Sequence, residues 1–163
     1  MHNIDINNIL QELQNIMVKN NLTLSTAESC TSGGIASTIT KISGASKYFQ
    51  GGLVAYQDHI KVKYLNVNPS NIIKYDVVSK QVAEEMVKGT CRMFNTDFAI
   101  ASTGYAGEGM NGIQSGTIWI AWGSSNDIHS KCIINSNKDR IFNTQNAINE
   151  ALLEFWLYIN SHI

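Results

Sequence analysis

Apolar residues at the start of the chain recur at three- and four-residue steps. Ile6, Ile9, Leu10, Leu13, Ile16 and Met17 fall on one face of an amphipathic helix. Asn20 and Asn21 can end it, because asparagine tolerates the left-handed conformation. Leu22 to Ala27 then alternates, with β-branched Thr23 and Thr26, which predicts a strand. Glu28-Ser29-Cys30-Thr31-Ser32-Gly33-Gly34 reads as a polar loop, and Ile35 to Ile42 as a helix starting straight after it. Gly51-Gly52 precedes a short apolar strand, Leu53 to Tyr56. Asp58 is placed to cap a helix running through Leu65. Pro69 marks a break. Ser79 caps a further helix with Val82, Ala83, Met86, Val87, Thr90 and Phe94 along one face. Asp97 to Thr103 reads as a buried strand, and Gly104 to Ser115 as a long glycine-rich loop. Gly116–Gly123 and Ile128–Asn135 follow as an antiparallel strand pair. A closing helix spans Asp139 to Ile159.

The order αβαβααβββα carries no repeat, no low-complexity tract and no linker. Helices interleaved with buried strands imply one α/β domain over residues 1–163, a three-layer α/β/α sandwich around a central mixed, mostly parallel sheet. In such sheets ligands bind beyond the strand ends, at a topological switch point. Two polar glycine-rich loops directly follow strands here, so the site is expected there.

Composition narrows the function classes. The chain has 163 residues, 44% of them hydrophobic and 15% charged, which suits a single globular domain. A net charge of −1 with no long Lys/Arg run argues against a nucleic-acid partner. No apolar run approaches a membrane span, and the N-terminus lacks a signal-peptide pattern. Cys30, Cys91 and Cys132 are odd in number and far apart, which points to a reducing, cytoplasmic setting. His2, His59, His129 and His162 show no HxxxH or HxH pairing, which argues against a zinc site.

Chemistry concentrates in the two loops. Ser29 stands on a strand-to-helix turn, where a nucleophile could be presented to the free N–H groups of a helix start. The plainer reading is that the Ser29, Thr31 and Ser32 hydroxyls cap the helix. Lys61 could accept the Ser29 proton if burial held it neutral; by pattern alone it reads first as a solvated helix lysine. Cys30 is a rival nucleophile, and more commonly a small buried hydrophobe. Thr103, at the end of the buried strand, would point a hydroxyl into the same cleft. The second loop lacks the Gly-Lys-Ser/Thr of a Walker A sequence.

Thr26-Ala27-Glu28-Ser29-Cys30-Thr31 resembles the signature of the CinA C-terminal domain, the nicotinamide-nucleotide amidase family. The likeness continues through Gly51-Gly52-Leu53-Val54-Ala55-Tyr56, Lys61, Leu65, Val78-Ser79, Thr103-Gly104-Tyr105-Ala106-Gly107, Gly116-Thr117 and Asp139-Arg140. It implies hydrolysis of the carboxamide of nicotinamide mononucleotide to nicotinic acid mononucleotide and ammonia, with no metal and no cofactor. By the same resemblance Ser29 would be nucleophile, Lys61 general base and Thr103 their hydrogen-bonding support. Thr31, Ser32, Gly33, Tyr56, Gly104, Tyr105, Ala106, Gly107 and Arg140 would surround the small-molecule nucleotide, with Arg140 on its phosphate.

This chain departs from the family pattern at Ser32, where a glycine is usual, and at Tyr105 and Glu108, where Ile and Pro are usual. Ile113-Gln114-Ser115 replaces Lys-Pro-Val. A loop that lost a lysine and gained a glutamate welcomes a phosphate less. The alternative is therefore a nucleotide-binding module of the same fold with shifted substrate or no turnover. The chain resembles the stand-alone form of the family and is expected to be a homodimer. Trp156 and Tyr158 on the last helix could serve that interface or cover the sheet.

Overall fold

The computed structural model describes residues 5–163; His2 and the first residues of the N-terminal segment lie outside them. Helix α1 (Ile6–Lys19) starts at Asp5, whose carboxylate accepts the Asn7 N–H at 3.0 Å, and buries Ile9, Leu10, Leu13 and Met17. The left-handed residue after it is Asn21, at φ 53°. Strand β1 (Leu24–Glu28) is buried at every position, although three of its five residues are polar. Helix α2 (Gly34–Thr40), a short 3₁₀ turn (Ala45–Lys47) and strand β2 (Phe49–Val54) follow. Gly51 and Gly52 lie inside β2 rather than before it. The pairing of β2 with β1 skips Gln50, and Gly51 takes φ 152° at that bulge. A side chain at Gly52 would overlap the Thr26 hydroxyl of β1.

Helix α3 (Asp58–Leu65) begins with Asp58; the capping position is Gln57. Pro69 does not break the chain but opens helix α4 (Pro69–Tyr75), where its missing N–H has no consequence. None of the α4 side chains is fully buried, so no apolar stripe betrays it in the sequence. Helix α5 (Lys80–Phe94) is capped by Ser79, which accepts the Val82 N–H, and carries its apolar face as expected. Strands β3 (Phe98–Tyr105), β4 (Thr117–Gly123) and β5 (Ile128–Ile134) complete the sheet before helix α6 (Arg140–His162).

The sheet order is β2-β1-β3-β4-β5. β1 pairs in parallel with β2 and β3; β3–β4 and β4–β5 are antiparallel. Four strands thus run one way and β4 the other, a mixed sheet in which most strands share a direction. Helices α1, α2 and α6 cover one face around Leu13, Ile35, Ile39, Ile118 and Phe155. Helices α3, α4 and α5 cover the other. At its centre the sheet offers Ala27, Ala99, Ala101 and Ala121 there, flanked by Leu53, Trp119 and Ile128, and the small residues let α5 approach closely through Val82, Met86 and Val87. On edge strand β5, Lys131 reaches Glu150 and Glu154 of α6 at 2.8 and 2.6 Å, which charges an otherwise open edge. Among the described residues no helix is long and apolar enough to cross a membrane.

Tyr158 and Trp156 are both engaged within the chain. Tyr158 packs between Phe98 and Phe155, and the Trp156 indole donates to Glu12 of α1 at 3.0 Å. From β1 the chain turns through α2 to β2 on one side, then crosses to β3 on the other. The connections that leave β1 and β3 therefore diverge at the switch point.

Candidate active site

A cleft of about 310 Å³ opens at that point, walled by the turn after β1, the start of α3, the end of β3 and the start of α6. Ser29 is the first residue beyond β1. Its N–H donates to the Ser102 carbonyl at 3.0 Å, which extends the β1–β3 ladder by one bond and fixes the serine backbone to the sheet. Lys61 projects from the first turns of α3 into the same place. Its Nζ lies 3.2 Å from the Ser29 hydroxyl and 3.3 Å from the Tyr56 carbonyl oxygen. The Asp58 carboxylate, one turn earlier, stands 3.6 Å away.

Lys61 is only 1% exposed, so it is a buried lysine and not a solvated one. Desolvation drives its pKa below the ordinary lysine value, against the pull of Asp58, whose charge favours the ammonium. A neutral amine at this distance can take the proton of the Ser29 hydroxyl. Cys30 next door is 4% exposed, and burial pushes its thiol up to about 12. It stays protonated near neutrality and is a poor nucleophile.

The turn itself is held from beneath by Glu28, the last residue of β1 and not part of the loop. Its buried carboxylate accepts the Ile35 and Ala36 N–H groups at 2.9 and 2.8 Å and the Thr31 hydroxyl at 2.6 Å. The expectation of free N–H groups at the start of α2 is thus corrected: Glu28 takes them. Thr31 faces inward. Its hydroxyl is spent on Glu28 and Ser102, buried away from the cleft. Ser32 adopts φ 52° and Gly33 φ 90°, so the serine that replaces a glycine sits in the left-handed region. We expect Glu28→Ala to leave the Ile35 and Ala36 N–H groups without a partner, while Thr31 keeps Ser102, and to lower stability by about 3 kcal/mol. Urea unfolding would measure this, and a loss under about 1 kcal/mol would contradict it.

Thr103 reaches the cleft wall, but its hydroxyl donates to the Val77 carbonyl at 2.9 Å instead of to Ser29 or Lys61. Tyr105 also lines the cleft and donates to Asp76 at 3.1 Å; burial, then Asp76, pushes its phenol up to about 12. Asp76 also accepts Asn111 at 2.8 Å, which ties the second loop to the segment before α5. Gly104 is required by close packing, since a Cβ there would crowd Ile118 of β4. Ala106 is buried and offers its carbonyl to Asn143 at 2.8 Å. Gly107 packs on the Arg140 side chain. Arg140 is the first residue of α6 and donates to the half-exposed Tyr56 hydroxyl at 2.9 Å. Of the residues missed, Asp58 had a visible signal in its i,i+3 spacing to Lys61. Asp76 and Ser102 had none.

Residues 6–158 match the family described as CinA C-terminal domain. A CinA-like protein of Flavobacterium psychrophilum is 43% identical over 142 residues, covering 86% of this chain and 34% of that protein. The chain thus spans about a third of the length of that relative. Protein YdeJ of Escherichia coli is 37% identical over 119 residues, 72% of this chain and 69% of its own. A crystal structure of a competence-damaged protein (CinA) superfamily protein from Escherichia coli superposes with a TM-score of 0.90 at 31% identity. It covers 98% of this chain and 92% of that one. With the sheet order and the layers described above, these likenesses settle one matter: the chain belongs to the CinA C-terminal domain family.

Proposed function

We propose that this protein is a serine amidohydrolase that deamidates nicotinamide mononucleotide to nicotinic acid mononucleotide and ammonia. The observation that carries the reading is the 3.2 Å approach of the Ser29 hydroxyl to a lysine that is 1% exposed. The Ser29 oxygen attacks the carboxamide carbon as its proton passes to Lys61 Nζ. The C–N bond then breaks, and Lys61 returns the proton to the departing ammonia. An ester on Ser29 remains. Water attacks it, giving a proton to Lys61, which reprotonates Ser29 as the acid leaves. Thr103 keeps the end of β3 fastened to Val77 and so shapes the wall behind the pair.

Arg140 and Tyr56 stand at the cleft rim, with the guanidinium oriented by the tyrosine hydroxyl, a geometry suited to a phosphate. We expect Arg140→Ala to raise KM by about 10- to 100-fold while kcat moves little, as loss of one charge-assisted contact requires. Steady-state ammonia release would check it; an unchanged KM would remove Arg140 from substrate binding.

The reading itself is tested by ammonia release from nicotinamide mononucleotide, using the purified full chain. Glu108 favours one second reading, since it sets a carboxylate in the same cleft as Arg140. On that reading the cleft binds a different nucleotide-like ligand without turnover. Saturable binding with no ammonia would support it, and clear turnover would dismiss it.

A further inference from the structure

On the opposite side of the molecule, the β4–β5 turn meets the last turn of α6. Asp127 precedes β5, His129 is its second residue, and His162 closes α6. His129 Nε2 lies 3.1 Å from one Asp127 oxygen, and His162 Nε2 lies 3.6 Å from the other. The three ligand atoms all fall within 4.8 Å of one another, and all three residues are exposed. The geometry points to a binding site for a divalent first-row transition metal of the zinc class, built from Asp127, His129 and His162.

Several features support it besides proximity. Two imidazoles with one carboxylate form a donor set that suits zinc, nickel or copper and does not suit magnesium or calcium. Ligands about 2.0–2.1 Å from a tetrahedral zinc sit roughly 3.3 Å apart, a spacing that three atoms within 4.8 Å of one another reach by closing on the ion. Surrounding contacts already orient the donors. The His162 Nδ1 lies 2.8 Å from the Tyr158 carbonyl, an acceptor only, so the neutral ring keeps its proton on Nδ1 and leaves Nε2, on the Asp127 side, for an ion. That is the tautomer a metal needs. The Tyr158 hydroxyl donates to Asp127 at 2.9 Å, and His129 stacks on Trp122 with ring centres 6.3 Å apart. Three protein ligands leave a fourth position for water, and exposure leaves the ion a path from solvent. Spacing along the chain hides the site, because α6 brings His162 back to β5 only in the folded domain. A bound ion would fasten the end of α6 to the hairpin.

The test uses the full chain without an affinity tag, stripped of metal and titrated with zinc chloride in a calorimeter. We expect one ion per chain and a rise in Tm that follows zinc concentration. His129→Ala and His162→Ala should each weaken binding at least about ten-fold. The double variant should not bind, while His59→Ala, on an exposed face of α3, should match the parent. Magnesium should give no heat. Each exposed substitution can be checked for folding by circular dichroism. Absence of saturable zinc binding overturns the proposal, as does binding in the double variant equal to that of the parent. Ammonia release plays no part in the readout, so the outcome is independent of the amidase reading.

Discussion

Ser29→Ala should fold as the parent does and lose ammonia release by about 10⁴-fold or more, because no other group can form the acyl intermediate. The fold is safe because the serine hydroxyl makes only a contact with Lys61 and a long one, 3.5 Å, with the Tyr56 carbonyl. The backbone N–H that ties Ser29 to Ser102 survives the substitution. Cys30→Ala is the companion experiment. Its thiol is buried and held up to about 12, so its removal should change the rate only a few-fold. The reverse pattern, an active Ser29→Ala beside an inactive Cys30→Ala, would transfer the chemistry to the cysteine.

The second large effect belongs to Lys61→Met. Methionine keeps most of the stem volume but has no proton to exchange, so ammonia release should fall by a similar factor. Lys61→Arg should be equally inactive, since a guanidinium does not give up its proton. In the proposed mechanism the working form of the parent is the neutral amine. The rate should therefore rise with pH through the lowered pKa of Lys61 and level off above it. Stability follows the same group. The unfolded chain holds the lysine proton up to its ordinary value of 10.5, while the folded chain releases it earlier. The unfolded state thus binds more protons across that window, and parental stability falls as pH drops from 10.5 to the lowered value. Lys61→Met lacks this term. Its Tm relative to the parent should grow across the same interval and then stay constant. Parallel Tm curves would show that Lys61 titrates as an ordinary surface lysine.

Legibility in the sequence tracked burial geometry. α1 and α5 were plain because each buries one face, which leaves a 3.6-residue rhythm. β1 was harder to bound: it is buried on both faces and carries Ser25, Thr26 and Glu28, so neither alternation nor hydrophobicity marks its end. α4 escaped because none of its side chains is fully buried, and its Pro69 fits a first turn as well as a break. Residues of both glycine-rich loops line one cleft, and the residue likeness singles out Ser29 and Lys61 within it. The directions of side chains were not legible. Thr31 turns inward to Glu28 and Thr103 turns to Val77, because nearby acceptors claim their hydroxyls. The burial of Lys61 depends on where α3 packs, which no local pattern records.

The anchoring of Ser29 to the centre of the sheet has a consequence for how the protein breathes. β1 lies between β2 and β3, is hydrogen-bonded on both sides and is buried at every position. Its amides, and that of Ser29 bonded to Ser102, should exchange with deuterium only when the whole domain opens. The second loop is fastened mainly by side chains such as Asn111 on Asp76, and its amides should exchange through small, frequent openings. One wall of the cleft should therefore keep time with global unfolding while the other opens locally. On that pattern a ligand would enter past the second loop without loosening the serine.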